Sequence, residues 1–445
     1  MTAAISPAAP WTRPAPYDAS AASLAEHVAA IGEVMAGRTR LWLGAGDPPP
    51  ALPAGFEDTV LVVPTSGSTG TAKSVAHPLR TLLASQDATA AALGGHGLWL
   101  PLLPPTHIAG VQVIARAHRT AQVLGLDAAA LPEQLPDLRG HFDAAALVRA
   151  AAPALEQAEA AGLPAFTSLV PTQLARIVTG ATGDDARARA LLRRFAGVLV
   201  GGAATPGDVL ARARGARIAV RTTYGSSETA GGCVYDAAPL AGVHLLLADA
   251  HDGEGRLLVD SPTLATGYLG ADGAGVQDGF AEVDGRRVLV TSDLARIAED
   301  GSLTVLGRAD DVIVTGGRKV LPQDVERAAE ASLVLRGLVT GCAVVGVPDP
   351  EWGQRVEALV TLGAGAAPEE ATALVRSALR IAELPSWSIP KRVHVVAELP
   401  LRGIGKIDRA AAAALARSRA DEATTVVDVG DDTAARGTSA GDRRA

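Results

Sequence analysis

The sequence predicts an α/β protein in three parts: an α/β N-terminal domain, a smaller β subdomain and a compact α+β C-terminal region. Three observations carry this. Short β-like runs alternate with helix-like patterns through the first half of the chain. Near residue 240 the texture changes to short β-like segments with turn signals. After "GRADD" (307–311) strand-like and helical patterns mix again, up to about Ala416.

Residues 1 to about 55 are rich in Ala and Pro, with one helix-like stretch from Ser20 to Ala36 and a "GDPPP" break at 46–50. Strand-like runs follow at "VLVV" (60–63), "FTSLV" (166–170), "GVLVGG" (197–202) and "ARIAVRTT" (216–223). Between the later ones lie the helical patterns "TQLARIV" (172–178), "DDARARALLRRF" (184–195) and "GDVLARAR" (207–214). Such alternation implies parallel strands crossed by helices, with ligand-carrying loops at the strand ends. "RLLVD", "RRVLVTSD" and "SLTVLGR" read as strands of the β subdomain, about 240–309, which completes a first domain of 1–309. "VIVTGGRKV", "DVERAAEAS", "CAVVGVPD" and "VEALVTL" build the second, 310–416. The tail 417–445 lacks aromatics and dense apolar content and is expected to be disordered.

A chain of 445 residues is long enough for two or three domains with real cores. Its formal net charge of -8 argues against a general nucleic-acid or anionic-membrane binder. Cys233 and Cys342 are too few for a disulfide framework or a cysteine metal cluster, which points to a reducing cytoplasm, and "MTAAISPAAPWTRPAPYD" has neither a basic start nor an apolar core, so no export signal is expected. From Ala88 to Ala115 there is no charged residue, a run long enough to span a bilayer, but Pro101, Pro104 and Pro105 break it. The run is expected to thread strand and loop through a soluble core, with no membrane insertion. Lys73, Lys319, Lys391 and Lys406 are the only lysines; all other cations are arginines. A retained lysine suggests a task for a compact point charge, such as contact with a phosphoryl oxygen.

"PTSGSTGTAKS" (64–74) has the equipment of a polyphosphate cradle. Gly67 and Gly70 allow close backbone approach; Thr65, Ser66, Ser68, Thr69 and Thr71 offer hydroxyls; Lys73 adds a cation. It is not a Walker loop, because Lys73 follows Ala72 and Pro78 comes before any helix could run. A solvated hairpin loop has the same composition.

Four further stretches carry chemistry. "TTYGSSETAGG" (222–232) places Tyr224, Gly225, Ser226, Ser227 and Glu228 at the end of a predicted strand, Glu228 suited to Mg²⁺ and Tyr224 to stacking on a base. "TSDLAR" (291–296) offers Asp293 for a ribose diol, and "GRADD" offers Arg308 for the same sugar or a phosphate. "LRGIGKIDR" (401–409) presents Lys406 on a Gly-flanked loop. Each alone has an ordinary structural explanation. Together and in this order they are specific.

The chain resembles the adenylate-forming superfamily of acyl-CoA synthetases, peptide-synthetase adenylation domains and luciferases, from about Val60 to about Arg409. The resemblance implies a large N-terminal domain of mixed sheets with flanking helices and a mobile α+β C-terminal domain. It implies ATP, Mg²⁺ and coenzyme A as ligands, with "TSGSTGTAK" as the phosphate loop. Tyr224 and "GGAAT" (201–205), including Gly202, Ala203 and Ala204, would frame adenine. Glu228 would ligate Mg²⁺, and Ser227 would keep a hydroxyl near a phosphoryl oxygen. Asp293 and Arg308 would hold ribose, Asp310 would be the hinge, and Lys406 the catalytic lysine. Gly316, Gly317 and Arg318 would face coenzyme A after the small domain rotates. Around the acid, His107, Thr172, Gln173, Ser226 and Gly231 are the pocket candidates. Two features depart from the pattern: Ala72 stands where proline is usual, and the segment before the phosphate loop is abbreviated.

Within the superfamily, "LPPTHIAGVQV", "SLVPTQL", "VGGAATP" and "TTYGSSETAGGCVYD" look most like the o-succinylbenzoate-CoA ligases of menaquinone biosynthesis in their short actinobacterial form. Another aryl or fatty acyl-CoA ligase, or a free-standing adenylation enzyme, shares the same expectations. A regulatory protein that binds nucleotide without catalysis is the reading from another class. Size and hydrophobic content permit a homodimer.

Overall fold

The computed structural model describes residues 9–65, 74–270, 273–333, 337–363, 366–402 and 406–422. Ser66, Gly67, Ser68, Thr69, Gly70, Thr71 and Lys73, the residues expected to form a phosphate loop, lie outside them. The strands that flank this loop are described. Thr59–Pro64 pairs antiparallel with Ser74–Pro78, Pro64 opposite Ser74, and both are almost wholly buried.

That pair sits inside a six-stranded sheet ordered Trp11–Thr12, Arg40–Trp42, Thr59–Pro64, Ser74–Pro78, Gly267–Leu269 and Gly275–Val276. The last two strands come from the expected β subdomain and leave it to pair here, Tyr268 opposite Val75. A second sheet runs Leu98–Leu100, Ala165–Leu169, Gly197–Val200, Val220–Ser226, Gly231–Tyr235, Ala238–Pro239. Its first four strands are parallel, as the alternation predicted, and the last two are antiparallel.

Side chains along these parallel strands alternate between two cores. Leu98, Leu100, Val198 and Val200 face one side, packed with the helices Ala144–Ala160, Pro171–Thr179, Gly183–Leu192 and Gly207–Gly215. Trp99, Phe166 and Leu199 face the other, where Ala21–Met35, Leu79–Leu93 and Ile108–Leu124 lie between the two sheets. Helices on both faces are what parallel strands require.

The uncharged run 88–115 therefore differs from the expected strand and loop. It holds the end of one helix, the strand Leu98–Leu100, a proline turn, and the start of the helix Ile108–Leu124. Among the described residues no helix is long and apolar enough to cross a membrane. Gly110 lets that helix close on the proline turn, since a Cβ there would stand 2.0 Å from the Pro104 carbonyl oxygen.

His244–His251, Glu254–Asp260, Arg286–Ile297, Phe280–Val283 and Leu303–Arg308 form an antiparallel five-stranded sheet. The chain then passes a short turn, Ala309–Asp311, into a separate sheet of Ile313–Thr315, Arg318–Val320, Val339–Asp349, Gly353–Leu362 and Arg392–Val395. The helices Pro322–Leu333 and Ala371–Ile381 cover one face of it, and Arg409–Glu422 the other. This last helix corrects the expected end at 416, because "RSRADE" continues its turns to Glu422. Residues 423–445 of the expected tail lie outside the described residues.

Candidate active site

Four candidate groups follow the C-terminal ends of four neighbouring parallel strands, where open α/β sheets place ligands. His107 comes after Leu98–Leu100, Thr172 and Gln173 after Ala165–Leu169, Gly202 to Ala204 after Gly197–Val200, and Tyr224 to Ser226 close Val220–Ser226. The loop at 201–204 hugs the last strand. A Cβ at Gly201 would meet Thr223 Oγ1 at 2.1 Å, and Gly202 holds φ +88°.

The hairpin from Tyr224 to Gly232 is fixed from beneath. The Ser226 N–H donates to Thr229 Oγ1 at 2.8 Å, and that hydroxyl donates to the Gly231 carbonyl at 2.7 Å. Ala230, in the left-handed region, has its carbonyl held by Ser85 Oγ and by Gln112 Nε2. Tight packing leaves no room for a Cβ at Gly225, which would lie 2.1 Å from the Gly231 oxygen. Ser226 stays exposed, while Ser227 and Glu228 are half-buried.

Tyr224 donates its hydroxyl to Asp293 Oδ2 at 2.6 Å. Burial, with Asp293 second, pushes the phenol well above its ordinary pKa, so it stays protonated and holds the carboxylate. Asp293 faces Arg308 across the antiparallel pair Arg286–Ile297 and Leu303–Arg308, and Arg308 reaches Asp310 at 3.0 Å. The three residues assigned to adenine and ribose thus form one continuous line that ends at the interdomain turn.

Glu228 is held by two groups the sequence did not reveal. Tyr268 donates to its Oε1 at 2.9 Å, and the Ala265 N–H donates to its carbonyl at 2.8 Å. His77, fully buried, places Nε2 2.8 Å from the Ser227 carbonyl and Nδ1 3.2 Å from Thr81 Oγ1. Burial pushes the His77 pKa down from 6.5 to about 4. Above pH 6.5 the imidazole is neutral folded or unfolded; as pH falls from there towards 4 only the unfolded chain takes the proton. Stability is therefore expected to drop by about 3 kcal/mol over that window, and less in His77→Gln. Urea unfolding at pH 7.5 and pH 5 checks this; equal losses in both proteins would remove His77 as the cause.

His107 caps the helix Ile108–Leu124 without a side-chain hydrogen bond to it, and burial lowers its pKa. Thr172 is exposed. Gln173 uses its side-chain oxygen to accept the Val170 N–H at 2.9 Å, which closes the first turn of its helix. In the C-terminal domain Gly316 and Gly317 both have positive φ, and Trp352 covers Gly316 so closely that a Cβ would come within 2.7 Å of its ring. The Arg318 guanidinium stacks on Trp387, 4.1 Å from the ring centroid. Lys406 is exposed in the short hairpin Leu401–Arg402 and Lys406–Ile407.

An arginine that the sequence left unidentified stands on the helix that His107 starts. Arg116 is 6 % exposed, its Nε has no acceptor, and among the described residues it makes no ion pair. Its guanidinium lies 5.1 Å from the centre of the Trp99 ring and lines a cavity of about 10 Å³ with Gln86, whose Oε1 is also without a partner. A buried cation without a carboxylate is costly, and burial lowers the Arg116 pKa accordingly. From Gly231 inwards, Gln112 and Gln86 link the hairpin to this cavity, with Gln86 Nε2 3.4 Å from Gln112 Oε1.

Residues 328–406 match the C-terminal domain of AMP-binding enzymes. Over 357 residues the chain is 40% identical to a probable 2-succinylbenzoate-CoA ligase of Mycobacterium tuberculosis, covering 80% of this chain and 84% of that one. The chain belongs to the adenylate-forming acyl-CoA ligases. A feruloyl-CoA synthase of Amycolatopsis is 29% identical over 415 residues, with 86% and 76% covered. Among solved structures, the o-succinylbenzoate CoA synthetase of Bacillus subtilis in complex with its acyl-adenylate intermediate shares the fold, with a TM-score of 0.62 at 22% identity and 80% and 69% covered. The ATP-bound MatB of Rhodopseudomonas palustris does so with a TM-score of 0.64 at 22% identity, 84% and 72% covered. This chain is thus an AMP-forming acid–thiol ligase on the expected α/β framework.

Proposed function

We propose that this ligase converts o-succinylbenzoate to its coenzyme A thioester and so serves menaquinone biosynthesis. Arg116 is the observation that carries the substrate reading beyond the likeness to the relatives. The acid has two carboxylates: one is activated, and the other needs a partner that remains charged in a buried place. Arg116 supplies that charge on the helix His107 begins, where a carboxylate would pair with it bidentately and end the cost of a buried cation without a partner. The cavity, lined by Gln86, Gly95, His96, Trp99 and Arg119 beside Arg116, is about one water wide, so admitting a carboxylate requires Gln86 to turn aside.

A carboxylate is a poor acyl donor because its leaving group would be oxide. In the first half-reaction a carboxylate oxygen attacks the α-phosphorus of ATP and pyrophosphate leaves. In the second, the thiol of coenzyme A, losing its proton, attacks the acyl carbonyl and AMP leaves. The first step sets an anion against a polyanion, so fixed positive charge has most to contribute there. Glu228 is a hard oxygen ligand of the kind Mg²⁺ prefers, and Tyr268 orients it. Mg²⁺ held there would neutralise phosphate charge. Asp293, tied by Tyr224, and Arg308 would hold the ribose, the segment 65–73 and Ser227 would serve the phosphates, and Lys406 would offset the charge of the carboxylate and α-phosphate. His107, Thr172, Gln173, Ser226 and Gly231 border the acid. Turning at Asp310 replaces Lys406 with Gly316, Gly317 and Arg318 for the second step.

An assay for AMP and thioester with ATP, Mg²⁺ and coenzyme A tests this on o-succinylbenzoate, 3-benzoylpropionate, benzoate, a medium-chain fatty acid and an amino acid. o-Succinylbenzoate is expected to turn over fastest by a wide margin. In Arg116→Leu its kcat/KM is expected to fall about a hundredfold, while 3-benzoylpropionate, which lacks the ring carboxylate, changes little. Equal losses on both acids would take the carboxylate away from Arg116. Preference for another acid would overturn the substrate and leave the ligase chemistry standing.

A further inference from the structure

We propose that Arg287 is a positioning residue for the Glu228 carboxylate, acting through the backbone of residues 265–268. The proposal rests on reading Glu228 as the metal ligand. Arg287 Nη1 donates to the Ala265 carbonyl at 2.9 Å and Nη2 to the Thr266 carbonyl at 2.7 Å. One planar guanidinium therefore spans two successive peptide groups, a grip that a lysine ammonium cannot copy. Its own plane is set by Phe280, whose ring centroid lies 4.1 Å away.

The gripped segment is the one that holds Glu228. From the same two residues, the Ala265 N–H goes to the Glu228 carbonyl at 2.8 Å and the Thr266 N–H to the Ala76 carbonyl at 2.9 Å. Two residues on, Tyr268 donates to Glu228 Oε1 and pairs with Val75 in the strand that leaves the phosphate loop. Gly267 sits between them in a crowded spot, where a Cβ would meet the Val276 carbonyl oxygen at 2.6 Å. Side chain and main chain of Glu228 thus depend on one short segment, and Arg287 sets where its carbonyls point. Groups that orient a metal ligand from behind commonly change metal affinity by roughly 10–100-fold.

The test measures Mn²⁺ binding to the ATP-bound enzyme by electron paramagnetic resonance, and AMP binding without metal by calorimetry. Glu228→Gln and Arg287→Met are both expected to weaken Mn²⁺ by roughly 10–100-fold with AMP affinity unchanged. Arg287→Lys, which keeps the charge and the ring contact, is expected to fall between wild type and Arg287→Met, and it carries the test if Arg287→Met does not fold. Wild-type Mn²⁺ affinity in the Arg287 variants beside a weakened Glu228→Gln overturns the proposal. So does an equal loss of AMP affinity, which would make Arg287 a staple of the fold alone. If Glu228→Gln itself binds Mn²⁺ as wild type does, the metal reading fails and the proposal with it.

Discussion

Lys406→Ala is expected to lose adenylate formation by at least about a hundredfold and to keep thioester formation from supplied acyl-adenylate and coenzyme A. The physical reason lies in where the charge changes. Only the first half-reaction brings a carboxylate up to the triphosphate, and one ammonium placed between them offsets that repulsion. In the second half-reaction the attacking group is a thiol and the carboxylate no longer exists. The chain spaces its roles accordingly. Lys406 lies on the hairpin after Leu401–Arg402, whereas Gly316 and Gly317 lie on another hairpin of the same domain, between Ile313–Thr315 and Arg318–Val320. Under the proposed rotation at Ala309–Asp311, one or the other would face the substrates. Pyrophosphate exchange reports the first step and thioester release from synthetic adenylate the second; equal losses in both would sink the assignment.

What was legible in the sequence is local chemistry. "TTYGSSETAGG" and "GGAAT", where parallel strands end, and "TSDLAR", inside the strand Arg286–Ile297, gather small residues, hydroxyls or single charges within a few positions, so their chemistry survives without knowledge of the fold. The strands themselves were legible where apolar runs are short and bounded, as at 60–63 and 197–202. Three helices in the first 160 residues were not. Ile108–Leu124 buries every residue from Gly110 to Ala117, so no apolar stripe of period 3.6 marks it, and Leu79–Leu93 and Ala144–Ala160 are filled with alanine. The supporting contacts of the site were illegible for another reason. Tyr268 is 40 residues from Glu228 and His77 is 150 from Ser227, and only the pairing of Gly267–Leu269 with Ser74–Pro78 brings them together. Arg116 looked like one arginine among many. What distinguishes it is a missing partner, and that is a property of the packed structure.

Arg409→Met is expected to destabilise the C-terminal domain by roughly 3–5 kcal/mol, the usual result of removing one member of a buried ion pair. Arg409 clasps both oxygens of Glu326, Nη1 at 2.7 Å and Nη2 at 3.0 Å, while Nε reaches Asp311 at 2.9 Å and Nη1 also serves the Val344 carbonyl at 2.8 Å. Glu326, 6 % exposed, additionally accepts the Val344 N–H at 2.7 Å. One guanidinium therefore joins the turn Ala309–Asp311, the helix Pro322–Leu333, the edge strand Val339–Asp349 and the start of the helix that follows Lys406. Removing it strands the Glu326 carboxylate in the core, and that orphaned charge is the larger part of the cost. Glu326→Leu made together with Arg409→Met should accordingly cost less than Arg409→Met alone. Urea unfolding of the single and double variants decides the matter. A loss below about 1 kcal/mol for Arg409→Met would place the pair among surface ion pairs. A loss of the expected size would make it the tie that holds Ala309–Asp311, Pro322–Leu333, Val339–Asp349 and the start of Arg409–Glu422 in one folded unit.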